Sequence, residues 1–494
     1  MASTFFGLTI AYSGLQAANT SLTITGHNVS NINTKGYTKQ QAGTQAADAL
    51  RTHTTYGAIG SSVVVTEISQ IRDSYYDVKY RNNMANYGQY SVKESYMGQI
   101  EDYLDEFTLN GYSQEYKNFF SAVNQLTITP GDTSAKNQLI NNAKSLADYF
   151  NTLTTNLRNV QADANNEIKD AVQQINSYAK NIAALNRQIN QIEANYGNAN
   201  DLRDKRNAMI DELSEIVNLE TSEEDMGNNV SNFSVRINGQ TLVSSYSYNT
   251  LETVARTDKK NYSDAEGLYD VQWNSGQKFD MYSTSLSGHL KGLIDIRDGN
   301  NGEHENIETD DDGNNVTDSD GNLVLTTAPA ADKTVSYKGV PYYQAQLNEF
   351  AKIFSDAVNK IMKSGYTSDG SSKGISLFVT QPNTTVMSAG NITVNPELLK
   401  NADLLAIKKE QNDGESDAKI MEELNKLQSE KIFAGGTGSY FLESIVSDMS
   451  IDSQKAVNLY KNYTDLKTSI HNQRLSIMGV DTDEEAMDMI KYQQ

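Results

Sequence analysis

The sequence predicts a mainly α-helical protein with a β insertion, in which a discontinuous bundle of long helices carries a small β-rich outer domain. Three observations predict this fold class. Apolar residues recur at alternating steps of three and four along much of the chain, which is typical of helices that pack against other helices. Proline occurs only 5 times in 494 residues, which suits long uninterrupted helices. A central segment alternates polar and apolar residues around an Asn-Gly pair, which indicates a β-hairpin.

The first predicted element is a helix over about residues 4–31. Residues 1–34 contain no Asp, Glu, Lys or Arg, so this helix gains nothing from ion pairs along its surface. Most helical stability in proteins comes from packing an apolar face. We therefore interpret the segment as an assembly helix, loosely ordered alone, whose coiled-coil seam is a subunit interface. The seam consists of Phe5, Leu8, Tyr12, Leu15, Leu22 and Val29.

The assembly helix and an extended linker with one or two short strands account for residues 1–68. A helical bundle domain is predicted over 69–220, beginning with a helix over about 69–106. Gly111 opens a shorter helix, which Pro130 ends. Asp132 or Thr133 then caps a helix predicted to reach residue 194, roughly 90 Å long. A further helix over 200–217 follows, and the bundle is predicted to continue at 285–298, 341–363 and 400–478.

Two segments interrupt the helical pattern. Residues 221–284 are predicted to form the small β-rich outer domain, with a hairpin turn at Asn238-Gly239. Residues 299–340 are predicted to form an acidic hairpin insertion, because 303–320 carries eight carboxylates and no Lys or Arg. An EF-hand alignment would put Glu308, Asp310 and Asp312 at loop positions one, three and five. Ser319 then occupies position twelve, where calcium requires a bidentate Glu, so a solvated loop is the better interpretation.

The C-terminal region is predicted to be helical over its last 90 residues. A second seam with three-four spacing runs from Ala456 through Leu466 and Ile470 to Ile477. Thr482 and Glu485 have the spacing of a capping box for a final helix. Residues 479–494 are therefore predicted to be the start of a C-terminal assembly helix. Because no stop signal follows, that helix is apparently truncated, and we expect residues 1 to about 35 to be mobile or artificially packed without it.

Composition and motifs argue against several classes of function. The 41 Lys and Arg residues against 63 Asp and Glu give a net charge of −22, which disfavours nucleic-acid binding. No apolar run reaches the roughly 18 residues of a membrane span. Cysteine is absent, the five histidines are scattered, and no phosphate-binding loop or hydrolase elbow is present. We therefore predict no enzyme activity, no cofactor, no metal, and neither nucleic acid nor membrane as a partner.

A short motif after the first helix is more specific than these patterns. Asn28, Asn31, Thr34, Gly36 and Tyr37 resemble the N-terminal signature of bacterial flagellar rod, hook and hook-associated proteins. Residues 200–217 (NDLRDKRNAMIDELSEIV) look like the corresponding helix of the FlgK family of hook-associated proteins. Residues 479–494 resemble the start of the C-terminal helix of flagellar axial proteins. The resemblance covers roughly 1–225 and 400–494.

The resemblance implies a long-helix bundle of the flagellar axial-protein type and a structural role at the hook–filament junction, with self-assembly through the terminal helices. It implies type III export without a cleaved signal, and therefore a secreted protein of the extracellular flagellum. The implied partners are like subunits in a ring, the hook protein, the second hook–filament junction protein, and an export chaperone that contacts C-terminal helices expected to be missing from this chain.

Two alternatives remain open from the sequence. A flagellar hook or distal-rod protein would turn to β-structure soon after the signature, whereas about 150 predicted helical residues follow it here. An extracellular adhesin or enzyme on a helical scaffold would need a site in the β-segment, and no grouping of nucleophile, base and orienting residue is visible there.

Overall fold

The computed structural model of the chain describes residues 6–51, 58–104, 112–257, 259–302, 306–307, 316, 325–326, 335–382, 384, 386–414 and 416–494. The helices within these residues are α1 (Phe6–Asn31), α2 (Ser74–Leu104), α3 (Tyr112–Ile128), α4 (Thr133–Glu193), α5 (Asn200–Ile216), α6 (His289–Asp298), α7 (Val340–Ser364), α8 (Pro396–Lys400), α9 (Lys419–Lys426), α10 (Gly438–Met478) and α11 (Thr482–Gln493).

The strands within the described residues are short and antiparallel. They are β1 (Gln40–Ala46), β2 (Leu50–Arg51), β3 (Ala58–Ile59), β4 (Val63–Gln70), β5 (Leu219–Asp225), β6 (Ser231–Ile237), β7 (Gln240–Ser244), β8 (Ser247–Tyr248), β9 (Leu251–Ala255), β10 (Tyr269–Trp273), β11 (Asn306–Ile307), β12 (Leu325–Thr326), β13 (Tyr366–Thr367), β14 (Phe378–Thr380), β15 (Ile392–Val394) and β16 (Ala406–Lys408).

Helix α4 is the axis of the fold, and its 61 residues span about 90 Å. It contains neither Gly nor Pro, and the Asp132 side chain caps it by accepting a hydrogen bond from the Ser134 N–H. Tyr196, at φ 61°, turns the chain out of the helix. The predicted apolar stripe is buried along most of its length: Leu139, Phe150, Leu157, Ile168 and Ile182 are all below 2% exposed. The predicted length and cap of this helix are confirmed.

The β-rich segment lies along α4 and shares its core. Val235, Ile237 and Trp273 belong to the same cluster of buried apolar residues as the bundle helices. Amide side chains of α4 also bond strand backbone: Asn176 donates to the Leu251 carbonyl and accepts from the Leu251 N–H. The predicted hairpin is present, with the Asn238-Gly239 turn at positive φ joining β6 to β7. The β insertion therefore packs as an extension of the helical core.

Helix α10 lies along α2, and this pairing corrects the predicted C-terminal seam. Ala456 and Ile470 are buried as predicted, but Leu466 and Ile477 are 48% and 40% exposed. Aromatic rings fill the interface instead: Tyr463 stacks on Tyr90 at 5.3 Å between ring centroids. The three-four pattern missed this face because tyrosines, and cations lying over their rings, make contacts that aliphatic spacing does not reveal.

Two further boundaries differ from prediction. The first bundle helix begins at Ser74 rather than 69, because Val63–Gln70 pairs with Gln40–Ala46 as a strand. The last 90 residues are not continuously helical, since the strand Ala406–Lys408 and several turns come before α10. Most of the acidic insertion, including its calcium-like loop and the turn after Asp320, lies outside the described residues.

Candidate assembly interface

Helix α1 has one packed face and one exposed face. The packed face consists largely of small or polar side chains, namely Ala17, Ser21, Ile24, Thr25 and Asn28, which are buried against β1, β4 and α11. Small residues allow helices and strands to approach closely. Within residues 6–35, α1 packs against α11 and the β1–β4 ribbon of the same chain, and the expectation that this segment is mobile or artificially packed stays a prediction. The sequence pattern did not indicate that α11 and the β1–β4 ribbon would cover this face.

The predicted seam lies on the other side of α1. Leu8, Tyr12 and Leu15 are 67%, 59% and 58% exposed, whereas Leu22 and Val29 are half-buried. Phe5 lies outside the described residues. Large apolar side chains gathered on one uncharged helix face are a typical mark of an interaction surface. The seam as a subunit interface stays a prediction.

Helix α11 also exposes apolar residues, and these were not part of the subunit interface predicted from the sequence. Met487 is 66% exposed and Ile490 is 59% exposed, while Glu485 is the buried side chain of the helix. Because residues three apart lie on the same face of a helix, the spacing of Met487 and Ile490 could have indicated this apolar face from the sequence. Both terminal helices thus present apolar side chains to solvent.

The signature residues form a hydrogen-bonded turn around Asn28. The Asn28 amide donates to the Gln40 carbonyl at 2.9 Å and to Glu485 Oε2 at 3.1 Å. Its oxygen accepts from the Tyr37 hydroxyl at 2.8 Å and from the Gln40 N–H at 3.0 Å. Every polar atom of this 1% exposed amide is therefore used.

The remaining signature residues shape the turn. Asn31 donates to the His27 carbonyl and accepts from the Thr34 hydroxyl. Gly36 has φ +80°, and a Cβ there would lie 2.9 Å from Cβ of Ala208, so both backbone conformation and close approach to α5 favour glycine. Desolvation and the nearby carboxylates of Asp201, Asp204 and Glu485 raise the pKa of Tyr37, so it remains a hydrogen-bond donor at neutral pH.

The turn is anchored on α5 by a buried carboxylate. Asp204 accepts hydrogen bonds from the Thr38 N–H at 2.9 Å and the Thr38 hydroxyl at 2.8 Å, and Arg72 Nη1 lies 3.2 Å from it. Burial raises the pKa of Asp204, against the opposing effect of these donors and of Arg72. Gln40 donates to Asp201 of the same helix at 2.9 Å. The helix beginning at Asn200 thus receives the signature turn, a contact that the linear motif did not indicate.

A chain of ion pairs continues from this anchor to α10. Arg72 bonds Asp77, and Arg474 of α10 lies 2.7 Å from Asp77 and 2.6 Å from Asp211. Arg81 bonds the other oxygen of Asp211 at 2.8 Å. These charges are mostly shielded from solvent, and each has partners of opposite sign. They tie α2, α5 and α10 together beneath the signature turn.

The start of α11 differs from the predicted capping box. Asp481, rather than Thr482, caps the helix by accepting from the backbone N–H groups of Asp483 and Glu484. Glu485 does not bond back to the cap, because Asn28 and Lys39 take its carboxylate. The spacing Thr-x-x-Glu was therefore misread: a tertiary contact competes with the local one.

The described residues do not suggest an active centre here. A groove of about 600 Å³ lies between the signature turn, α5 and α10, and four of its charged lining residues pair with one another, Asp211 with Arg474 and Glu212 with Lys35. Nowhere in the described part of the chain do three His, Asp or Glu side chains converge as metal ligands. No helix there has the length and apolar character to cross a membrane.

Comparison with known proteins gives consistent results. The sequence model described as "Flagellar hook-associated protein FlgK helical domain" matches residues 97–378. "Flagellar hook-associated protein 1" of Bacillus subtilis is 26% identical over 517 aligned positions, covering 100% of this chain and 94% of the relative. The protein of the same name from Salmonella typhimurium is 27% identical and covers 98% of this chain and 95% of its own length.

A solved structure shows the same fold. It is described as "The structure of the flagellar hook junction protein FlgK from Burkholderia pseudomallei", and it matches with a TM-score of 0.63 at 14% identity. The match covers 81% of this chain and 100% of the solved chain. The mainly helical fold with small antiparallel sheets is therefore shared.

Proposed function

The chain belongs to the FlgK family of flagellar hook-associated proteins, structural proteins of the hook–filament junction, and we propose that it builds this junction by self-assembly through α1 and α11. The observation that carries the proposal is the exposed face of α1. Leu8, Tyr12 and Leu15 face solvent on a helix without a single charged side chain. An isolated chain gains nothing from such a face, whereas a second copy of the chain can cover it.

Burial of this face supplies the driving force for assembly. Each large apolar side chain that moves from water into a packed interface contributes about 1.5–3 kcal/mol at full burial. Three side chains on one helix, repeated at every contact of a ring, would offset part of the entropy lost when subunits associate. Because the helix carries no charge, close approach of like helices meets no repulsion between charged side chains at this surface.

The neighbours in the flagellum follow from the same proposal. Like subunits would contact one another in a ring, with the hook protein on one side and the second hook–filament junction protein on the other. An export chaperone would bind the C-terminal helices before secretion by the type III route to the extracellular flagellum. A chaperone bound there would cover Met487 and Ile490, which are exposed in the free chain.

Charge placed on the seam tests the proposal. Leu8→Asp or Leu15→Asp should lower incorporation into flagella by at least tenfold, because a buried unpaired carboxylate is costly. Incorporation would be measured as flagellum-bound against secreted monomer in cells that lack the wild-type copy. The thermal unfolding midpoint of the monomer should not change, since both residues are exposed in it.

Ile128→Asp is a matched control. Ile128 is 69% exposed at the end of α3, so the same chemical change is made on the bundle surface, away from the terminal helices. It should leave incorporation near the wild-type level. Normal incorporation of both seam variants would rule out this face of α1 as the subunit contact.

A further inference from the structure

Helix α11 has its polar and apolar residues in an unexpected arrangement. Its one fully buried side chain is Glu485, 1% exposed, while Met487 and Ile490 are more than half exposed. Burying a carboxylate costs free energy unless it is paired and hydrogen-bonded. A helix docked only for stability would bury Met487 and Ile490 instead of leaving them more exposed than the half-buried Met489. The buried glutamate therefore needs another explanation.

The Glu485 carboxylate is held from two sides. Asn28 Nδ2 donates to Oε2 at 3.1 Å, and Lys39 Nζ lies 3.0 Å from Oε1. Both partners come from the signature region: Asn28 is the central amide of the turn, and Lys39 comes directly before β1. The backbone agrees, since the Lys39 N–H donates to the Met478 carbonyl at 2.9 Å. The first turn of α11 is thus fixed at one point on α1.

This contact also sets the direction of α11. Asn28 lies one turn from the end of α1, and Glu485 lies one turn from the start of α11. Because α11 packs along α1, it runs back antiparallel over the C-terminal half of that helix. Over 12 residues it covers about 18 Å. Met487 and Ile490 therefore lie level with the C-terminal half of α1, on the side of α11 that faces away from the buried Glu485.

We propose that Glu485 is a positioning residue that fixes the register of α11 on α1 through Asn28 and Lys39. Apolar contacts alone discriminate poorly between registers, whereas a buried polar contact is lost entirely when a helix slips by one turn. In the fixed register, α11 covers the packed face of α1 and leaves the seam residues Leu8, Tyr12 and Leu15 exposed on the opposite side for a second copy of the chain. This last consequence rests on the proposed function; the register itself does not.

Spin-label distances measure the register directly. The chain has no cysteine, so single cysteines at the exposed positions Ala11 of α1 and Lys491 of α11 carry the labels. The distance between the labels would be measured in dilute monomer, with Glu485 present and in the variants Glu485→Gln and Glu485→Ala. Glu485→Gln preserves side-chain shape, so it remains informative if the alanine variant loses structure.

Glu484→Gln is the matched control. Glu484 neighbours Glu485 and also lies 3.0 Å from Lys39 Nζ, but its side chain is 59% exposed, and exposed ion pairs contribute little. We expect one sharp distance in the wild type and in Glu484→Gln. We expect a second population in both Glu485 variants, displaced by about 5 Å, which is one helical turn.

Each outcome decides the proposal. A single unchanged distance in both Glu485 variants would overturn it, and so would a featureless broad distribution, which would make Glu485 a docking contact only. Incorporation into flagella should fall at least tenfold in Glu485→Gln and stay near wild type in Glu484→Gln. If Leu8→Asp and Leu15→Asp incorporate normally while the register still slips, the proposed interface fails and the positioning role stands.

Discussion

At the scale of single residues, the Asn28 side chain connects segments that are far apart in the chain. Its amide links the end of α1 to Tyr37, to the backbone of Gln40 and to Glu485. The last of these partners is 457 positions away in the chain. A buried amide with all its bonds made is specific, because no smaller or apolar side chain can replace both its donors and its acceptor.

Replacement of Asn28 by alanine should therefore destabilise the joint of the terminal helices by about 2–4 kcal/mol, because it leaves several buried polar groups unpaired. Amide exchange in residues 33–40 and 482–493 should become faster by a factor of at least 30, while exchange in α4 stays unchanged. Hydrogen exchange followed by mass spectrometry measures both regions in one experiment.

The second signature asparagine provides the control. Asn31 is half-buried and bonds only within its own turn, to His27 and Thr34. Asn31→Ala should cost about 1 kcal/mol or less. Equal effects of the two substitutions would contradict the central role assigned to Asn28.

The signature motif could be found from the sequence, but the residues that form hydrogen bonds with it could not. Asn28, Gly36 and Tyr37 stand in a short motif with fixed spacing. Asp204 and Glu485 are ordinary acidic residues in ordinary helices, and only the fold brings them to the turn. A linear pattern contains no information on which of 63 carboxylates will be buried there.

At the scale of elements, local sequence patterns predicted the long helices correctly. Tertiary contacts decided which face of α10 is buried and which residue caps α11, and there the local patterns failed. Helix α4 was predictable because Asp132 caps it and a wide apolar stripe runs along it without Gly or Pro. The face of α10 was misassigned because pairs of tyrosine rings replace aliphatic contacts. The cap of α11 was misassigned because Glu485 has stronger partners elsewhere in the fold.

A buried ion cluster shows how one element is secured to the next. Asp298, 1% exposed at the end of α6, bonds Arg297 and the Arg256 side chain, which follows β9. Burial alone would raise the pKa of Asp298, but the two guanidinium groups hold it well below its usual range. Because the folded pKa is lowered, the stabilisation is present above the unfolded value of about 3.9 and is lost as pH falls through the folded pKa.

We therefore expect Asp298→Asn to destabilise the protein by about 3–5 kcal/mol at pH 7, since it leaves two buried cations without their shared partner. The variant should also lose less stability than wild type as pH falls below 4. Urea unfolding at pH 7 and at pH 3 measures both effects.

Asp270 is the comparison, because it also pairs with Arg256 but is 47% exposed. Asp270→Asn should cost about 1 kcal/mol or less. A destabilisation by Asp298→Asn no larger than that of Asp270→Asn would show that the buried cluster does not secure α6 to the strands.

At the scale of the whole molecule, one continuous core runs from α2 and α4 through the β segment to α10. Insertions leave this core and return to it at points that lie close together. The acidic insertion is an example. The Asn301 N–H bonds the Val335 and Tyr337 carbonyls at 2.9 and 3.0 Å, and Asn300 pairs with Lys338. The chain thus returns to the core within a few ångströms of where it left.

Replacement of residues 303–333 by a short Gly-Ser linker should leave the unfolding free energy within about 1 kcal/mol of wild type, because loop-closure entropy changes slowly with length. Incorporation into flagella should also persist. Chemical denaturation and the incorporation assay measure the two expectations. Loss of assembly in a stable deletion variant would show that the insertion takes part in subunit contacts.

The central claim is that the exposed face of α1 becomes buried between subunits, and the natural absence of cysteine allows a direct measurement. Single cysteines would replace Leu15 on the seam and Ile128 on the bundle, and the rate of maleimide labelling would be measured in monomer and in assembled flagella. Both positions should react quickly in the monomer, where they are 58% and 69% exposed. On assembly, labelling at position 15 should slow by at least tenfold while position 128 stays reactive; equal reactivity at position 15 in monomer and flagellum would contradict the account.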